Sequence, residues 1–321
     1  MDLATLRERQ GWTLEQKIDH AVGAVEQFKA RTGRPLYVSF SGGKDSTVLL
    51  DLCRRFLDPE QKAVFNNTGN EYPEIIRFVR DTPNVTIISP RTPVRRIIEE
   101  HGFPLISKEQ ACYIREAKTT KSAKLLYIRL NGSPLSKGRK VGKISERWKF
   151  LISEPFMISE RCCDILKKRP FRIYEKETGE LPILGIMAGE SRIRQEAYIK
   201  RGGCNSFKPD HLFCNPLSIW TEEDIWSYIR RFNVPYCRIY DERGCNRTGC
   251  MFCGFGAHIE KESRFDLVFR LHPKMYQTVM GYQNNGITYR DALHKCGISL
   301  PDDPKEPTPV EDETTGKEVK V

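Results

Sequence analysis

Long apolar runs are missing from this 321-residue chain. The longest, around Leu181–Ala188, is about eight residues, against the ~20 that a membrane helix needs. The opening MDLATLRERQ has no apolar segment of the secretory kind. No internal repeat and no clear interdomain linker is visible. The expectation is a soluble, cytoplasmic protein with no membrane partner. Apolar residues are 39% and there are 23 glycines, ordinary for a globular protein, which excludes a disordered chain, a collagen-like chain and a coiled-coil rod. At about 150 residues per domain the length allows two domains, or one α/β domain with an elaboration.

Two features are in excess. The formal charge is +10, and there are 11 cysteines. Twelve basic residues against three acids fall between Lys108 and Lys149, nearly the whole charge excess. This stretch has helical spacing of apolar residues, then a Gly/Pro-broken basic loop, with Tyr113 and Tyr127 interleaved. It suits a nucleic-acid backbone (DNA or tRNA). The plainer alternative is a solvated helix face with a mobile loop. The last twenty residues run the other way, with seven acids, three lysines and few bulky apolar residues, and are expected to be disordered.

Strand–helix alternation organises the first half. Residues 12–31 read as an amphipathic helix capped by Thr13 and Gln16. Leu36–Phe40, Lys62–Asn66 and Asn84–Ile88 read as strands, with helices over Ser46–Phe56 and Pro73–Arg80 between them. Leu181–Ile186 is a further strand, and Thr221–Phe232 a helix with Thr221 as cap and Asp224 at its third position. The pattern predicts an α/β fold, a doubly wound and mostly parallel sheet. The expected layout is an α/β domain over 1–240 with the basic helical insertion at about 108–150, a cysteine-bearing part at 241–300 and the acidic tail at 301–321.

The most informative segment is Leu36–Leu50, LYVSFSGGKDSTVLL. A strand enters Ser41-Gly42-Gly43-Lys44-Asp45-Ser46 and a helix leaves it. Two glycines let backbone N–H groups face a phosphate, the helix N-terminus adds dipole and free donors, and Lys44 adds a point charge. Ser41 and Ser46 supply hydroxyls. Asp45, an acid in an anion site, fits Mg²⁺ placement or helix capping. The spacing is not that of the Walker P-loop. SGGKDS after a strand resembles the PP-loop ATP pyrophosphatase family, an adenine nucleotide alpha-hydrolase-like fold. The resemblance implies that the loop holds the β,γ-pyrophosphate of ATP, which is cleaved between α and β. Phe65–Glu74, including Thr68 and Gly69, resembles the D-T-G-x-x-x-P-E-T segment of the sulfonucleotide reductase branch, the phosphoadenosine phosphosulfate (PAPS) reductase-like family, with Asn67 in place of Asp.

The cysteines extend the resemblance. In a cytoplasmic chain eleven of them point to metal or catalysis before disulfides. Cys250-Met-Phe-Cys253 is a CxxC turn, and Cys162-Cys163 is a vicinal pair 87 residues upstream. This spacing resembles that of the adenylyl-sulfate reductases, which implies that Cys162, Cys163, Cys250 and Cys253 hold a [4Fe–4S] cluster. Zinc bound through Cys245, Cys250, Cys253 and another thiol is the rival, and inert thiols a third possibility. Gly185–Arg194 resembles the G-x-R-x-x-[EQ]-S-x-x-R segment, with Met187 replacing the first Arg, and puts Glu190 and Arg194 at the nucleotide pocket. Pro216–Trp226 and Pro235–Cys250 resemble two further segments.

Three departures matter. The phosphate loop is intact, whereas the reductases have degenerate ones. The C-terminal nucleophile segment is only partly echoed by His294-Lys295-Cys296-Gly297-Ile298. The basic insertion has no role in reducing a small sulfonucleotide. An intact loop, four cluster cysteines and a basic stretch resemble the sulfur-insertion branch, which includes tRNA thiolases and the ATP pyrophosphatases of DNA phosphorothioation. The expected function is thus an ATP pyrophosphatase that adenylylates a nucleic acid for sulfur transfer. Lys44, Asp45 and Arg194 are its catalytic candidates, and a sulfur donor such as a cysteine desulfurase its expected partner. The alternatives are a sulfonucleotide reductase with Cys296 as nucleophile, and a non-enzymatic nucleotide or nucleic-acid binder.

Overall fold

The computed structural model describes residues 2–134, 141–245, 248–260 and 263–304, with backbone alone at 310–311 and 318–319. The chain opens with α1 (Leu3–Gln10) and α2 (Leu14–Thr32). The Thr13 hydroxyl accepts from the Gln16 N–H and the Gln16 side chain accepts from the Thr13 N–H, the expected capping box. Strand and helix then alternate: β1 (Leu36–Ser39), α3 (Lys44–Phe56), β2 (Ala63–Asn66), α4 (Pro73–Asp81), β3 (Val85–Ile88) and α5 (Val94–His101). Next come β4 (Leu105–Ile106), α6 (Lys108–Thr119) and α7 (Ala123–Asn131). A short helix α8 (Arg161–Cys163) widens into a π turn over Asp164–Lys168 and continues as α9 (Arg169–Thr178). Pi turns of this kind are frequent at functional sites.

The sheet is completed by β5 (Leu181–Leu184), then α10 (Arg192–Arg201), the hairpin of β6 (Asn205–Lys208) and β7 (His211–Cys214), and α11 (Glu222–Phe232). Its order is β3-β2-β1-β5-β7-β6. All neighbours are parallel except β6 against β7, so the mostly parallel α/β sheet is as expected. The polar sequence Asn205–His211 gave no strand signal. These two strands form because they turn back on each other at the sheet edge. The C-terminal part holds β8 (Gly254–Phe255), α12 (Phe265–Leu271), α13 (Pro273–Met280), β9 (Gln283–Asn284), β10 (Ile287–Thr288) and α14 (Tyr289–Lys295). One apolar core runs from Leu6 to Leu300 and takes in residues of every part. In a parallel sheet the strand ends that carry the loops after β1, β2 and β5 lie on one edge, where open α/β folds bind ligands.

The basic stretch is packed: Ala111, Ile114, Ile144, Trp148 and Leu151 are buried in the common core. Six of its cations are already engaged. Arg115 binds Glu160, Arg129 binds Glu116, and Lys118 donates to the carbonyls of Glu154 and Phe156. Lys143 and Lys149 flank Glu146, and Arg147 lies over the Trp148 ring. Lys137, Arg139 and Lys140 lie outside the described residues. The acidic tail does not begin loose at 301. Asp302 takes Arg290 and the Tyr276 hydroxyl, and Asp303 takes His294, because α13 and α14 present those donors side by side. Beyond Pro304 only the antiparallel pairing of Val310–Glu311 with Glu318–Val319 is described, and the rest of the tail lies outside the described residues.

Candidate functional site

Residues Ser41–Ser46 form a tight loop between β1 and α3. Gly42 has φ +71°, and an added methyl there meets Ile75 and Val79 of α4 at 2.8 and 2.9 Å, so only glycine fits. The two serine hydroxyls lie 3.0 Å apart, and Ser46 Oγ donates to the Gly43 carbonyl at 2.9 Å. The backbone N–H of Gly43 donates to Ser41 Oγ at 3.3 Å. The loop is thus braced from within before any ligand enters. No side chain caps the N-terminus of α3. Its first N–H, on Lys44, donates instead to the hydroxyl of Tyr240 at 3.2 Å. An uncapped helix start after a glycine turn is an anion site in waiting.

Lys44 is buried. Its Nζ lies 3.0 Å from Asp45 Oδ1 and 3.5 Å from Glu222 Oε1. Burial disfavours the ammonium, but Asp45 and Glu222 more than offset it and hold its pKa above the ordinary lysine value. The Asp45 carboxyl is pushed up, first by burial and then by Glu190 and Glu222, although Lys44 opposes this. The loop, with its Lys44 and Asp45, and the expected Glu190 therefore meet at one place. Arg194 is ion-paired with Glu190 and reaches the site through it. Glu190 also accepts from the Met187 N–H at 2.9 Å, which folds the β5–α10 turn back to the loop.

Thr68 and Gly69 have a different immediate task. The Thr68 N–H and hydroxyl both bind Glu71, at 2.9 and 2.6 Å, and Gly69 N–H donates to Asn67 Oδ1 at 3.1 Å. They shape the β2 turn, with the Thr68 hydroxyl and both backbone N–H groups engaged within it. Sequence reasoning missed Glu222, although it directly follows the recognised cap Thr221. It also quoted Tyr240 without a role. Tyr240 OH and Thr248 Oγ1 both lie 3.1 Å from where a Gly43 methyl would sit, and 2.9 Å from each other.

The same C-terminal segment carries two of the four candidate cysteines. Met251 N–H donates to the Asn70 carbonyl at 2.9 Å, which ties the CxxC turn to the β2 loop. β8 then pairs with β4, Leu105 beside Gly254. A methyl on Gly254 would lie 2.8 Å from Leu105, Pro104 and Tyr289, so the chain passes here only as glycine. Ile106 in the paired strand has φ +63°, a strained state for a β-branched residue. On the other side Asn66 Nδ2 donates to the carbonyl of Leu166, which brings the helix of Cys162 and Cys163 to the end of β2.

Cys162 lies within electrostatic reach of Cys163, Cys250 and Cys253. Cys162 is hydrogen-bonded to Cys163, which with burial and the charges of Cys163, Cys253 and Cys250 drives its pKa up. Cys163 is held below the usual thiol range by that bond, against its burial, with help from Lys108 and Lys167. Burial raises Cys250, with Lys167 opposing, and Arg264 donates to the Cys253 carbonyl at 2.9 Å. None of the eleven cysteines is in a disulfide. Four thiols ringed by Lys108, Lys167 and Arg264 match an anionic iron–sulfur centre in donor chemistry and charge. Among the described residues no group of three or more His, Cys, Asp or Glu is arranged to hold a metal ion. Cys245 is buried.

Cys296 is placed differently. It ends α14 with 1% of its surface exposed, and burial, with Glu154, pushes its thiol up to about 12. A thiol in that state is a poor nucleophile.

Known proteins resemble the chain as follows. Residues 35–126 and 107–254 match the model described as the phosphoadenosine phosphosulfate reductase domain. An uncharacterized protein of Methanocaldococcus jannaschii is 26% identical over 238 residues, 73% of this chain and 39% of that protein. The chain thus spans about two-fifths of that relative's length. An adenosine 5'-phosphosulfate reductase of Geobacillus kaustophilus is 24% identical over 225 residues, 69% of this chain and 73% of that protein. The crystal structure of phosphoadenylyl-sulfate reductase from Candida auris, a phosphate complex, aligns with 78% of this chain and 96% of its own at TM-score 0.42 and 14% identity.

Proposed function

The chain belongs to the phosphoadenosine phosphosulfate reductase domain family, and from that premise we propose that it is a nucleotide-dependent enzyme that binds ATP by its phosphates at Ser41–Ser46. The observation that carries this reading is the uncapped N-terminus of α3 behind a braced glycine loop, with the buried Lys44 beside it. In it an acceptor oxygen, most simply of a nucleic acid, attacks the α-phosphorus and pyrophosphate leaves; sulfur then displaces AMP. The protein's part is positioning and charge stabilisation. Loop N–H groups and Lys44 hold the leaving pyrophosphate, and Arg194, tethered by Glu190, faces the same phosphates. Asp45, with Glu190 and Glu222 nearby, is the carboxylate that places Mg²⁺. Cys162, Cys163, Cys250 and Cys253 would hold a [4Fe–4S] cluster, whose bound chemistry is electron or sulfide supply.

A second reading has its own support. The named relatives are adenosine 5'-phosphosulfate reductases, and that comparison favours a sulfonucleotide reductase over the first reading. Against it stands the buried Cys296, which lacks the exposure and low pKa of a nucleophile. A pyrophosphate-release assay with Mg-ATP, with and without DNA or tRNA, decides between them. Pyrophosphate release that depends on Lys44 upholds the first. Sulfite from adenylyl sulfate with no pyrophosphate from ATP overturns it in favour of the second. Absorbance near 400 nm after anaerobic purification, lost in Cys250→Ala, tests the cluster, and a colourless protein with stoichiometric zinc refutes it.

A further inference from the structure

A cavity of about 280 Å³ lies between the β3–α5 connection and α9, outside the residues of the phosphate loop and the cysteine ring. Its polar lining includes Arg91 and Arg169 with the hydroxyl residues Ser89 and Thr92. Neither arginine has a hydrogen bond, ion pair or ring contact among the described residues. Among neighbouring arginines, Arg172 binds Asp164, Arg95 binds Glu99 and Arg96 binds Glu100. Two unpaired guanidinium groups at one cavity favour a phosphate, which they match in geometry.

The rest of the lining is apolar, with Ile88, Ile165 and Ile173 beside the ring of Tyr174. The Tyr174 hydroxyl is committed to Glu180, and its ring, buried against Tyr37 with Lys62 over it, forms part of the cavity wall. Glu177 is the one carboxylate of the lining, an acceptor for an exocyclic amine. The volume is near the lower bound for ligand pockets, room for one nucleotide and not for a duplex.

We propose that this cavity binds a nucleoside phosphate, the phosphate between Arg91 and Arg169 and the base against Ile173 and Tyr174. β3 lies two strands from β1, roughly 10 Å to the side of the phosphate loop. Ile165 and Arg169 follow Cys163 on the same helical stretch, so the occupant sits next to the cysteines. In the ATP reading it is the acceptor nucleotide; that role, though not the binding itself, rests on that reading. Two sources share this chemistry, a free nucleotide and one nucleotide of a single strand.

The test titrates CMP and, separately, a short single-stranded oligodeoxynucleotide into the full chain and into Arg91→Ala/Arg169→Ala, both exposed positions. Loss of two such contacts weakens binding about tenfold or more. Ile173→Trp, which fills the cavity without changing charge, lowers affinity in the same direction. Lys44→Ala changes CMP binding by less than about twofold, since CMP does not use the loop. A drop for CMP alone identifies the free nucleotide, and a drop for the strand alone or for both identifies the strand's nucleotide. Unchanged binding in the double variant, no binding of either probe to the wild type, or loss of CMP binding in Lys44→Ala overturns the proposal. ATP binding is measured on the same proteins, so a loop that fails to take ATP is told apart from a cavity that fails to take CMP.

Discussion

Replacing Lys17 by methionine tests how the start of α11 is held beside the phosphate loop. Lys17 is 2% exposed between α2 and α11, and its Nζ donates to the Gln10 carbonyl and to Asp224 Oδ2, each at 2.6 Å. Removing one partner of a buried pair costs roughly 3–5 kcal/mol, because the other charge stays behind. Asp224 is not left bare: it still accepts from the Thr221 N–H at 2.7 Å and hydroxyl at 2.8 Å, and is 15% exposed. The expected cost of Lys17→Met is therefore about 2–3 kcal/mol. Asp224→Asn keeps an acceptor oxygen but removes the negative charge beside the buried ammonium, so it should cost more, about 3–5 kcal/mol. Urea unfolding reads this as a lower midpoint at unchanged slope. The same helical turn carries Glu222, 3.5 Å from Lys44 Nζ, so nucleotide affinity should fall with the midpoint. A Lys17→Met protein within about 0.5 kcal/mol of wild type, or one less stable than Asp224→Asn, refutes the reasoning.

Gly102 has φ +93°, and a methyl there lands 2.1 Å from the Met157 carbonyl oxygen; Gly102→Ala should cost more than about 4 kcal/mol, while Gly203→Ala, with open space around it, stays within about 0.5 kcal/mol by thermal unfolding. Asp302 is held down at about 2, below the ordinary aspartate value of 3.8, by hydrogen bonds from Arg290 and Tyr276. Its folded pKa is the lower one, so its contribution is present above pH ~4 and is lost as pH falls toward 2. Asp302→Asn should therefore destabilise by about 1 kcal/mol at pH 7 and by nothing near pH 2, as followed by urea midpoints across pH. Cys296→Ser should lower stability through its buried hydroxyl and leave turnover per folded molecule unchanged, measured with whichever of ATP or adenylyl sulfate proves to be the substrate; loss of sulfite release at full stability restores Cys296 as nucleophile.

Much of the sheet was legible because its signals are local. Thr13 with Gln16, and Thr221 with Asp224, announce their helices within four residues, and Val38, Val64 and Ile87 lie in short runs that only a buried strand explains. The phosphate loop was legible because two glycines, a lysine and a serine between a strand and a helix are demanded by one piece of physics. What stayed hidden depends on distance in the chain. Glu222 reaches Lys44, and Tyr240 reaches its N–H, across 178 and 196 residues, and no periodicity carries such a contact. The ion pairs of the basic stretch were hidden for a related reason. Arg115 and Arg129 look like free charge until folding brings Glu160 and Glu116 to them. The reverse holds for Arg91 and Arg169, which sit in unremarkable sequence and end up without partners.

The two candidate centres are mechanically one. Tyr240 touches the first N–H of α3; eight residues later Thr248 touches Tyr240; Met251 is pinned to Asn70; and Cys250 and Cys253 flank that pin. From the other side Asn66, at the tip of β2, holds the helix of Cys162 and Cys163 by the Leu166 carbonyl. A phosphate that takes the Lys44 N–H must displace the Tyr240 hydroxyl, since one donor cannot serve both well. Displacement of Tyr240 is expected to move Thr248, two residues from Cys250. We predict that the cysteine site responds to occupancy of the loop. Both readings of the chemistry need such an arrangement, because each brings sulfur to a nucleotide only when the nucleotide is bound. Tyr240→Phe removes the hydroxyl: it frees the Lys44 N–H at a cost of about 1 kcal/mol. It should raise nucleotide affinity and leave the near-400 nm absorbance of the cysteine site unresponsive to added nucleotide. An absorbance change on nucleotide addition as large as in wild type shows that the two centres are not coupled through Tyr240.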